Sequence, residues 1–384
     1  MTHTPCKAPC WYGRVNPQVP EPPTQANPST RLFADAAARK TYWLPDPPGR
    51  AFPGLQAFWE RLSTGITGYM QPVAIAGPPL DRAFLLSLPP GSFRPEDWVR
   101  GNGASRQSRS PNWSGATVHA ADGGMLTQVV AGWTEPEVFA SGVIAPGQEF
   151  RSSIWTGFNG HAAYYDAALP QIGTMQQIYL DASHHRQTRH WVWFEWWANT
   201  KANSTAENLL PVYLQLDVHP GDTVLCSVEL IPGDPVADPT ETFPVVARMS
   251  VCIDHKHSAT KVLVMPFIVH PPLVDEYQVQ PTGSTASWVA ELPANVDKEH
   301  PFLMPRFVTQ VDPFNAVTFE HCAAAIAVNA GEAPFGEQTL EVSRRFNMFS
   351  KPPERADALK KIATTLTPRI SDTSFRIQVD GHGP

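Results

Sequence analysis

The chain has 384 residues, a formal net charge of −7 at pH 7, 42% hydrophobic and 17% charged residues, and 40 prolines. This acidic balance, with no Lys/Arg-rich run, excludes the basic footprint of a nucleic-acid-binding protein. The many prolines and few charges favour strands and loops over long helices, and no stretch approaches the ~20 apolar residues of a membrane span.

The front of the chain predicts little regular structure before two helices. Residues 1–30 are rich in proline and are expected to be disordered or draped over a surface. Helical patterns follow in "STRLFADAAARKTYW" and "GLQAFWERLSTGITGYM", the second with an apolar stripe at Leu55, Phe58, Trp59 and Leu62. The segment "GNGASRQSRSPNW", residues 101–113, predicts a linker or an exposed loop.

From about residue 112 onward, short β-branched and aromatic runs alternate with turn signals, and no parallel βαβ alternation is present. This pattern predicts an all-β fold, an antiparallel sandwich. One helix is expected near the end, in "PERADALKKIATTLTP", residues 353–368. The predicted organisation is a Pro-rich segment (1–30), a partly helical region and candidate pro-region (31–111), the sandwich (112–330), and a C-terminal extension (331–384).

Cysteine usage and the N-terminus bear on the compartment. The five cysteines are odd in number and have neither a disulfide framework nor paired zinc spacing, so we expect free thiols; they are Cys6, Cys10, Cys226, Cys252 and Cys322. The opening "MTHTPCKAPCWYGRVNPQVPEPP" lacks the apolar core of a secretory signal.

The stretch "HWVWFEWWANT", residues 190–200, places one carboxylate among tryptophans. In a strand, Glu195 shares a face with Trp191, Trp193 and Trp197, because side chains alternate between faces. A charged carboxylate in such apolar surroundings is costly unless it has a partner. Two interpretations remain open: a tuned acid at a functional site, or a structural carboxylate satisfied by an arginine or by backbone N–H groups.

Several familiar catalytic signatures are missing from the sequence. It contains no G-x-S-x-G elbow, no H-E-x-x-H, no phosphate-binding glycine loop and no Asp-Thr/Ser-Gly. Histidines cluster in "SHHRQTRH" (His184, His185, His190) and in "DHKH" (His255, His257). Without further ligands at a recurring spacing, we interpret both clusters as surface loops or hairpin turns and predict no metal site.

Four segments stand out by their shared order: "NWSGA" (112–116), "SSIWTGFNG" (152–160) running on to "LPQIG" (169–173), "WVWFEWW" (191–197) and "ASWVAELP" (286–293). Together they resemble the glutamic peptidases, also called eqolisins, over roughly residues 112–325. The resemblance implies a sandwich of two bent antiparallel sheets of the concanavalin A-like lectin/glucanase type.

The resemblance also implies a site. The family's catalytic glutamine falls on Gln171 and its catalytic glutamate on Glu291, with Trp155, Trp193, Glu195 and Asn159 expected to contact the substrate. The sequence departs from the family in three places. Asn159 and Met175 stand where aspartates are usual, and Ser287 replaces the first glutamate of the last strand.

The implied activity is that of an acid endopeptidase without cofactor, acting on protein or peptide substrates. We expect a monomer that binds neither nucleic acid nor membranes. Family members are usually exported, although no signal is visible here. A further hypothesis is that the basic segment "RGNGASRQSRSP", with Arg100, Arg106 and Arg109, covers the acidic cleft at neutral pH and leaves it in acid.

Two other classes of function remain open from the sequence. A lectin-like module could use an aromatic face to bind a sugar or a peptide without cleaving it. A glycoside hydrolase could use Glu195 and Glu291 as its carboxylate pair, which requires a separation of roughly 5 to 9.5 Å.

Overall fold

The computed structural model describes residues 30–75, 107–110, 112–121, 123–140, 142–144, 148–159, 168–198, 211–233, 245–271, 273–274, 277–278, 281–293, 304–308, 316–349, 361–365 and 370–379. The predicted Pro-rich segment therefore lies outside the described residues, apart from Thr30. Cys6, Cys10, Arg100 and Arg106 also lie outside them.

Three helices begin the described chain: α1 (Thr30–Ala34), α2 (Ala36–Tyr42) and α3 (Pro53–Ser63). Asp35 accepts a hydrogen bond from the backbone N–H of Ala37, which caps α2. The carboxylate of Glu337, far along the chain, accepts hydrogen bonds from the N–H groups at the start of α3. Both predicted helical segments are confirmed, but the second ends at Ser63 instead of reaching residue 70.

Strands make up most of the remaining described chain. In chain order they are β1 (Gly68–Met70), β2 (Ala74–Ile75), β3 (Gln107–Ser110), β4 (Trp113–His119), β5 (Met125–Thr134), β6 (Glu137–Phe139), β7 (Phe150–Phe158), β8 (Ala168–Leu180), β9 (Arg186–Ala198), β10 (Val212–Leu214), β11 (Thr223–Pro232), β12 (Val245–His255), β13 (Thr260–Val269), β14 (Leu273–Val274), β15 (Tyr277–Gln278), β16 (Thr285–Glu291), β17 (Arg306–Val308), β18 (Ala316–Ala327), β19 (Gly336–Thr339), β20 (Arg344–Phe349), β21 (Lys361–Thr365) and β22 (Phe375–Val379). A 3₁₀ turn, Leu340–Val342, precedes β20.

The long strands form two layers. In the first layer, the order β10–β9–β8–β7–β16–β4 is antiparallel throughout, and β20 continues it beside β4. In the second layer, the order is β18–β5–β11–β12–β13, again antiparallel. Strands β21 and β22 connect the two layers at one edge. The predicted all-β antiparallel sandwich is confirmed.

Large apolar side chains fill the space between the layers. The core includes Trp133, Phe158, Phe194, Phe267 and Trp288, each at most 1% exposed. Trp288 of β16 spans the two layers, since its Nε1 donates a hydrogen bond of 2.9 Å to the backbone carbonyl of Val130 in β5. This packing fixes which face of each strand points into the core.

The helices cover the outer face of the second layer, which we call the back face. Leu55, Phe58 and Leu62 of α3 pack there in an apolar cluster with Leu263 and Met265 of β13. The Lys261 ammonium beneath them donates hydrogen bonds to the backbone carbonyls of Arg61 and Thr64, the latter at 2.7 Å. The chain then adds β1 to β13 in parallel and β2 to β10. The helices therefore cover one outer face of the sandwich, and the outer face of the first layer is the other.

Two local predictions are wrong. Residues 361–365 of the expected C-terminal helix form strand β21, which pairs with β20 and β22. Residues 353–360 and 366–368 of that segment lie outside the described residues. Residues 107–110 of the expected linker form β3, which pairs in parallel with β20, and Trp113 begins β4. In both cases a neighbouring strand supplies backbone partners that the local pattern does not reveal.

Two further expectations concern thiols and membranes. Cys226, Cys252 and Cys322 are free and buried, which confirms the expectation for the three described cysteines. Among the described helices, none is long and apolar enough to cross a bilayer.

Candidate active site

The candidate site lies on the outer face of the first layer, which we call the site face. Strand register puts Gln171 of β8 directly between Glu195 of β9 and Gly157 of β7. Glu291 of β16 lies opposite Ser153 of β7. Residues 153 and 157 share a face because side chains alternate along a strand. Gln171, Glu195 and Glu291 therefore all point away from the sandwich core, on the same side of the sheet.

Gln171 and Glu195 are joined directly. The amide Nε2 of Gln171 donates a hydrogen bond of 2.7 Å to Oε2 of Glu195. Gln171 is only 4% exposed, and its Oε1 is buried with no hydrogen-bond partner among the described residues. Burying an amide oxygen without a partner costs free energy. The Oε1 of Gln171 is therefore available to accept one more hydrogen bond.

Three N–H donors hold the carboxyl of Glu291. Asn112 Nδ2 donates to Oε1 at 3.0 Å, and Trp155 Nε1 donates to Oε2 at 2.8 Å. Trp113 is a third hydrogen-bond partner. The Trp113 and Trp155 rings meet edge to face, with centroids 4.9 Å apart, so each indole fixes the position of the other. The orientation of this carboxyl is consequently set by its neighbours.

Burial dominates the electrostatics of both carboxyls. It raises the pKa of Glu291 to about 7, although the hydrogen bonds from Trp113, Trp155 and Asn112 oppose this change. Burial and, to a lesser extent, the negative charge of Glu291 raise the pKa of Glu195 to about 8, although the hydrogen bond from Gln171 opposes this change. The two carboxyls therefore interact, and the pair favours holding a proton near neutral pH.

The walls of the site are aromatic, and a glycine between two tryptophans provides the space that their rings need. Gly173 lies between Trp155 and Trp193 in the register of β7, β8 and β9. A Cβ at Gly173 would lie 2.1 Å from the carbonyl oxygen of Ile154 and 2.7 Å from Cβ of Trp155. Any larger residue would push the strands apart, so glycine is what allows the two indoles to pack beside the carboxyls.

Strand register puts five of the six site residues chosen from the sequence on the site face, and the sixth follows the end of β7. The five are Gln171, Glu291, Trp155, Trp193 and Glu195. Asn159 follows β7 with a left-handed backbone (φ 58°) and is fully buried. Its Nδ2 donates to the carbonyl of Ala168 at 2.8 Å, and its Oδ1 accepts from the hydroxyls of Thr282 and Ser284. These contacts hold the turn, and none of the described hydrogen bonds of this side chain is made with Gln171, Glu195 or Glu291.

The other two departures from the family pattern also lie in the first layer. Met175 of β8 is level with Ser153, the residue that lies opposite Glu291, and its sulfur accepts a hydrogen bond of 3.6 Å from the Tyr213 hydroxyl. Ser287 of β16 is buried and donates a hydrogen bond to Thr117. Both positions are neutral here, so the described part of the site face has fewer acids than the resemblance implies.

Sequence reasoning did not assign roles to Asn112, Trp113 or Tyr213. Asn112 and Trp113 open the "NWSGA" motif, so their place in the motif was the available signal. Tyr213 lies opposite Trp193 in β10 and packs edge to face against Trp191. Its strand is only three residues long, and no local pattern reveals that it joins β9 at this position.

The histidines of the two sequence clusters lie in different parts of the fold. His184 and His185 are exposed in the turn between β8 and β9, as predicted, and His257 is exposed in the turn between β12 and β13. His190 is not in a loop. It lies in β9, and its Nδ1 is 2.7 Å from Oε1 of Glu135, a carboxylate that is completely buried. His255 closes β12 and lies 2.9 Å from Asp222.

Comparisons with known proteins bear on this site. Residues 111–232, which include Gln171 and Glu195 but end before Glu291, match the model of the Peptidase A4 family. No curated protein is significantly similar to the chain. One solved structure with detectable similarity is the marine PL-14 alginate lyase from Aplysia kurodai, at 10% identity and a TM-score of 0.18, covering 44% of this chain and 70% of that chain. A likeness this weak supports no conclusion about fold or function. The family match confirms the resemblance drawn from the sequence: residues 111–232 are similar to the Peptidase A4 family, the glutamic peptidases.

Proposed function

We propose that the chain is an endopeptidase in which Glu291 activates water and Gln171 stabilises the oxyanion. The observation that carries this proposal is the arrangement of three side chains on one face. Glu195 is hydrogen-bonded to Gln171 and is electrostatically coupled to Glu291. An amide donor and a carboxyl from separate strands, β8 and β16, are thereby linked through a second carboxyl.

Glu291 is suited to act first as a base and then as an acid. Its carboxylate takes a proton from water as the water oxygen attacks the peptide carbonyl carbon. When the C–N bond breaks, the same carboxyl returns that proton to the departing amine. Hydrogen bonds from Asn112 and Trp155 hold both oxygens in place, so little reorganisation accompanies the transfer.

Gln171 supplies a neutral donor to the tetrahedral intermediate. Its Nε2 carries two protons, and only one is needed for the hydrogen bond to Glu195. The second can be donated to the oxyanion. Because an amide does not titrate, this stabilisation persists at every working pH. Loss of a comparable donor costs roughly 3 to 4 kcal/mol of transition-state stabilisation, or about 100- to 1000-fold in rate.

The carboxyl pKa values define the working range of this mechanism. A base must be ionised, and the fraction of ionised Glu291 falls about tenfold for each pH unit below about 7. Glu195 keeps its proton up to about pH 8. The productive state therefore carries one proton on the pair. We expect activity to rise from pH 4 to about pH 7, a higher range than the strongly acidic one that the resemblance implies.

Cleavage of an unfolded protein and of a quenched fluorescent peptide library tests the proposal across pH 3 to 8. We expect Glu291→Gln to lower kcat/KM at least 1000-fold and Gln171→Ala about 100- to 1000-fold. Glu320→Gln, an exposed carboxylate on β18, is the matched control and should stay within twofold of the parent. Full activity of Glu291→Gln would refute the role of Glu291.

The same experiment distinguishes a binding module from an enzyme. If the parent binds unfolded peptide but cleaves nothing between pH 3 and 8, and Glu291→Gln binds equally well, the site holds peptides without hydrolysing them. If the rate were highest at pH 3 to 4, the chain would still be a peptidase. That result would contradict the role of Glu291 as a base with a pKa of about 7.

A further inference from the structure

A second cluster of ligating side chains lies outside the site face. His219 and Asp222 belong to the turn that precedes β11, and His255 ends β12. One ligand atom from each of the three residues lies within 4.8 Å of the others. None of these residues contributes to the proposed peptidase chemistry. The turn and the strand end are brought together because β11 pairs with β12.

We propose that His219, Asp222 and His255 form a binding site for a divalent transition metal, with zinc the first candidate. Two imidazoles and one carboxylate are ligands that zinc accepts, at about 2.0 to 2.2 Å. Around a tetrahedral ion, ligand atoms at that distance are separated by about 3.4 Å. Oδ2 of Asp222 lies 2.9 Å from Nδ1 of His255 and 3.6 Å from Nδ1 of His219, so small side-chain adjustments are sufficient.

The central ligand is already oriented by the backbone. Asp222 is 1% exposed, and its Oδ1 accepts a hydrogen bond of 3.0 Å from the N–H of Lys256. The N–H of His219 donates to Oδ2 at 2.9 Å. Such bonds to a ligating carboxylate fix its direction. Binding through Nδ1 of His255 requires the tautomer that carries its proton on Nε2, in which Nδ1 offers a lone pair to the ion.

The site also has a route for the ion. His219 is 64% exposed at its side chain and lines a cavity of about 530 Å³, whose walls include Asp217 and His190. Three protein ligands leave the fourth position of a tetrahedral ion facing water or a small ligand. Hard ions such as Mg²⁺ and Ca²⁺ prefer sets made only of oxygen, so the two imidazoles select against them.

Zinc binding to untagged, chelator-treated protein, measured by calorimetry at pH 7.5, tests the proposal. We expect one ion per chain with a Kd below about 10 µM, and a higher thermal unfolding temperature with ZnCl₂ but not with MgCl₂ or CaCl₂. His219→Ala should weaken binding at least tenfold. Because His219 is largely exposed, this variant should fold even if His255→Ala does not.

Two controls separate this site from other histidines and from the peptidase proposal. His257→Ala, exposed on the adjoining turn, should bind zinc as the parent does. Glu291→Gln should also bind normally, whatever its effect on cleavage. The proposal is overturned if no saturable zinc binding occurs, or if His219→Ala binds with unchanged affinity and stoichiometry.

Discussion

The two outer faces of the sandwich both carry apolar clusters, but their buried polar groups differ in whether they have hydrogen-bond partners. On the back face, Lys261 is buried with its ammonium bonded to two backbone carbonyls, and Trp59 Nε1 donates to the carbonyl of Pro45 at 3.0 Å. On the site face, the Oε1 of Gln171 and the Nε1 of Trp193 are buried without a partner among the described residues. Two carboxyls beside them have raised pKa values.

This difference indicates what each face is for. Where buried polar groups have partners, as Lys261 and Trp59 do, burial adds to stability, and the helices act as a permanent cover. A face that keeps unpaired polar atoms and carboxyls with raised pKa values is less stable than it could be, which is typical of functional sites. Changes on the back face should therefore alter folding alone, whereas changes on the site face should alter chemistry and its pH dependence.

The largest expected effect is on the back face. Phe58→Ala removes a ring that is 3% exposed and packed between α3 and the second layer. The lost burial and the cavity should lower the free energy of unfolding by about 3 to 5 kcal/mol, measured by urea denaturation. The exposed Val342→Ala is the control and should change it by less than about 0.5 kcal/mol. If the folded variant had lost peptidase activity, the proposed independence of the two faces would be wrong.

A smaller loss of stability should follow from Lys261→Met. This change keeps the apolar stem but leaves the carbonyls of Arg61 and Thr64 at the end of α3 without their donor. We expect a loss of about 2 to 3 kcal/mol in urea denaturation. Lys40→Met, exposed on α2, should have no measurable effect. If the two variants were equally stable, the hydrogen bonds of Lys261 would make no measurable contribution to the free energy of unfolding.

The sequence predicted the sandwich and most of the site face but not the strand pairings that complete them. Alternation predicted strands, and the family resemblance carried by the ordered motifs pointed to Gln171, Glu195 and Glu291, which the strand register places on one face. The placement of Asn112 beside Glu291 depends on β4 pairing with β16, although the two residues are 179 positions apart in the chain. Residues 361–365 carry a helical pattern, yet their neighbours make them a strand. Long-range pairing of this kind leaves no mark in a short window of sequence.

The raised carboxyl pKa values predict that ionisation of the two buried carboxyls lowers the stability of the fold at high pH. Unfolded glutamates ionise near pH 4.5, whereas Glu291 and Glu195 resist ionisation in the fold up to about 7 and 8. Their stabilising contribution is therefore present in acid and lost as pH rises. Glu195→Gln should raise the unfolding temperature by about 2 to 4 °C at pH 8.5 and leave it unchanged at pH 4. Glu320→Gln should behave like the parent at both values, and a rise confined to pH 4 would contradict the assignment.

The smallest expected effect isolates one hydrogen bond on the site face. Trp155→Phe keeps the aromatic wall but removes the Nε1 donor that lies 2.8 Å from Glu291. That donor favours the ionised carboxyl, so its loss should raise the pKa of Glu291 further. The acidic limb of the kcat/KM profile should then move up by about one pH unit, equivalent to about 1.4 kcal/mol, with a roughly tenfold loss at pH 5.5.

Trp196→Phe is the matched control for this change, because Trp196 lies in the sandwich core and its Nε1 is buried with no partner among the described residues. It should leave the acidic limb in place even if it lowers stability. A limb shifted equally by both variants would trace the effect to packing and not to the hydrogen bond. If only Trp155→Phe shifts it, ionisation of Glu291 controls the rate, since the indole N–H contacts no other titrating group among the hydrogen bonds described.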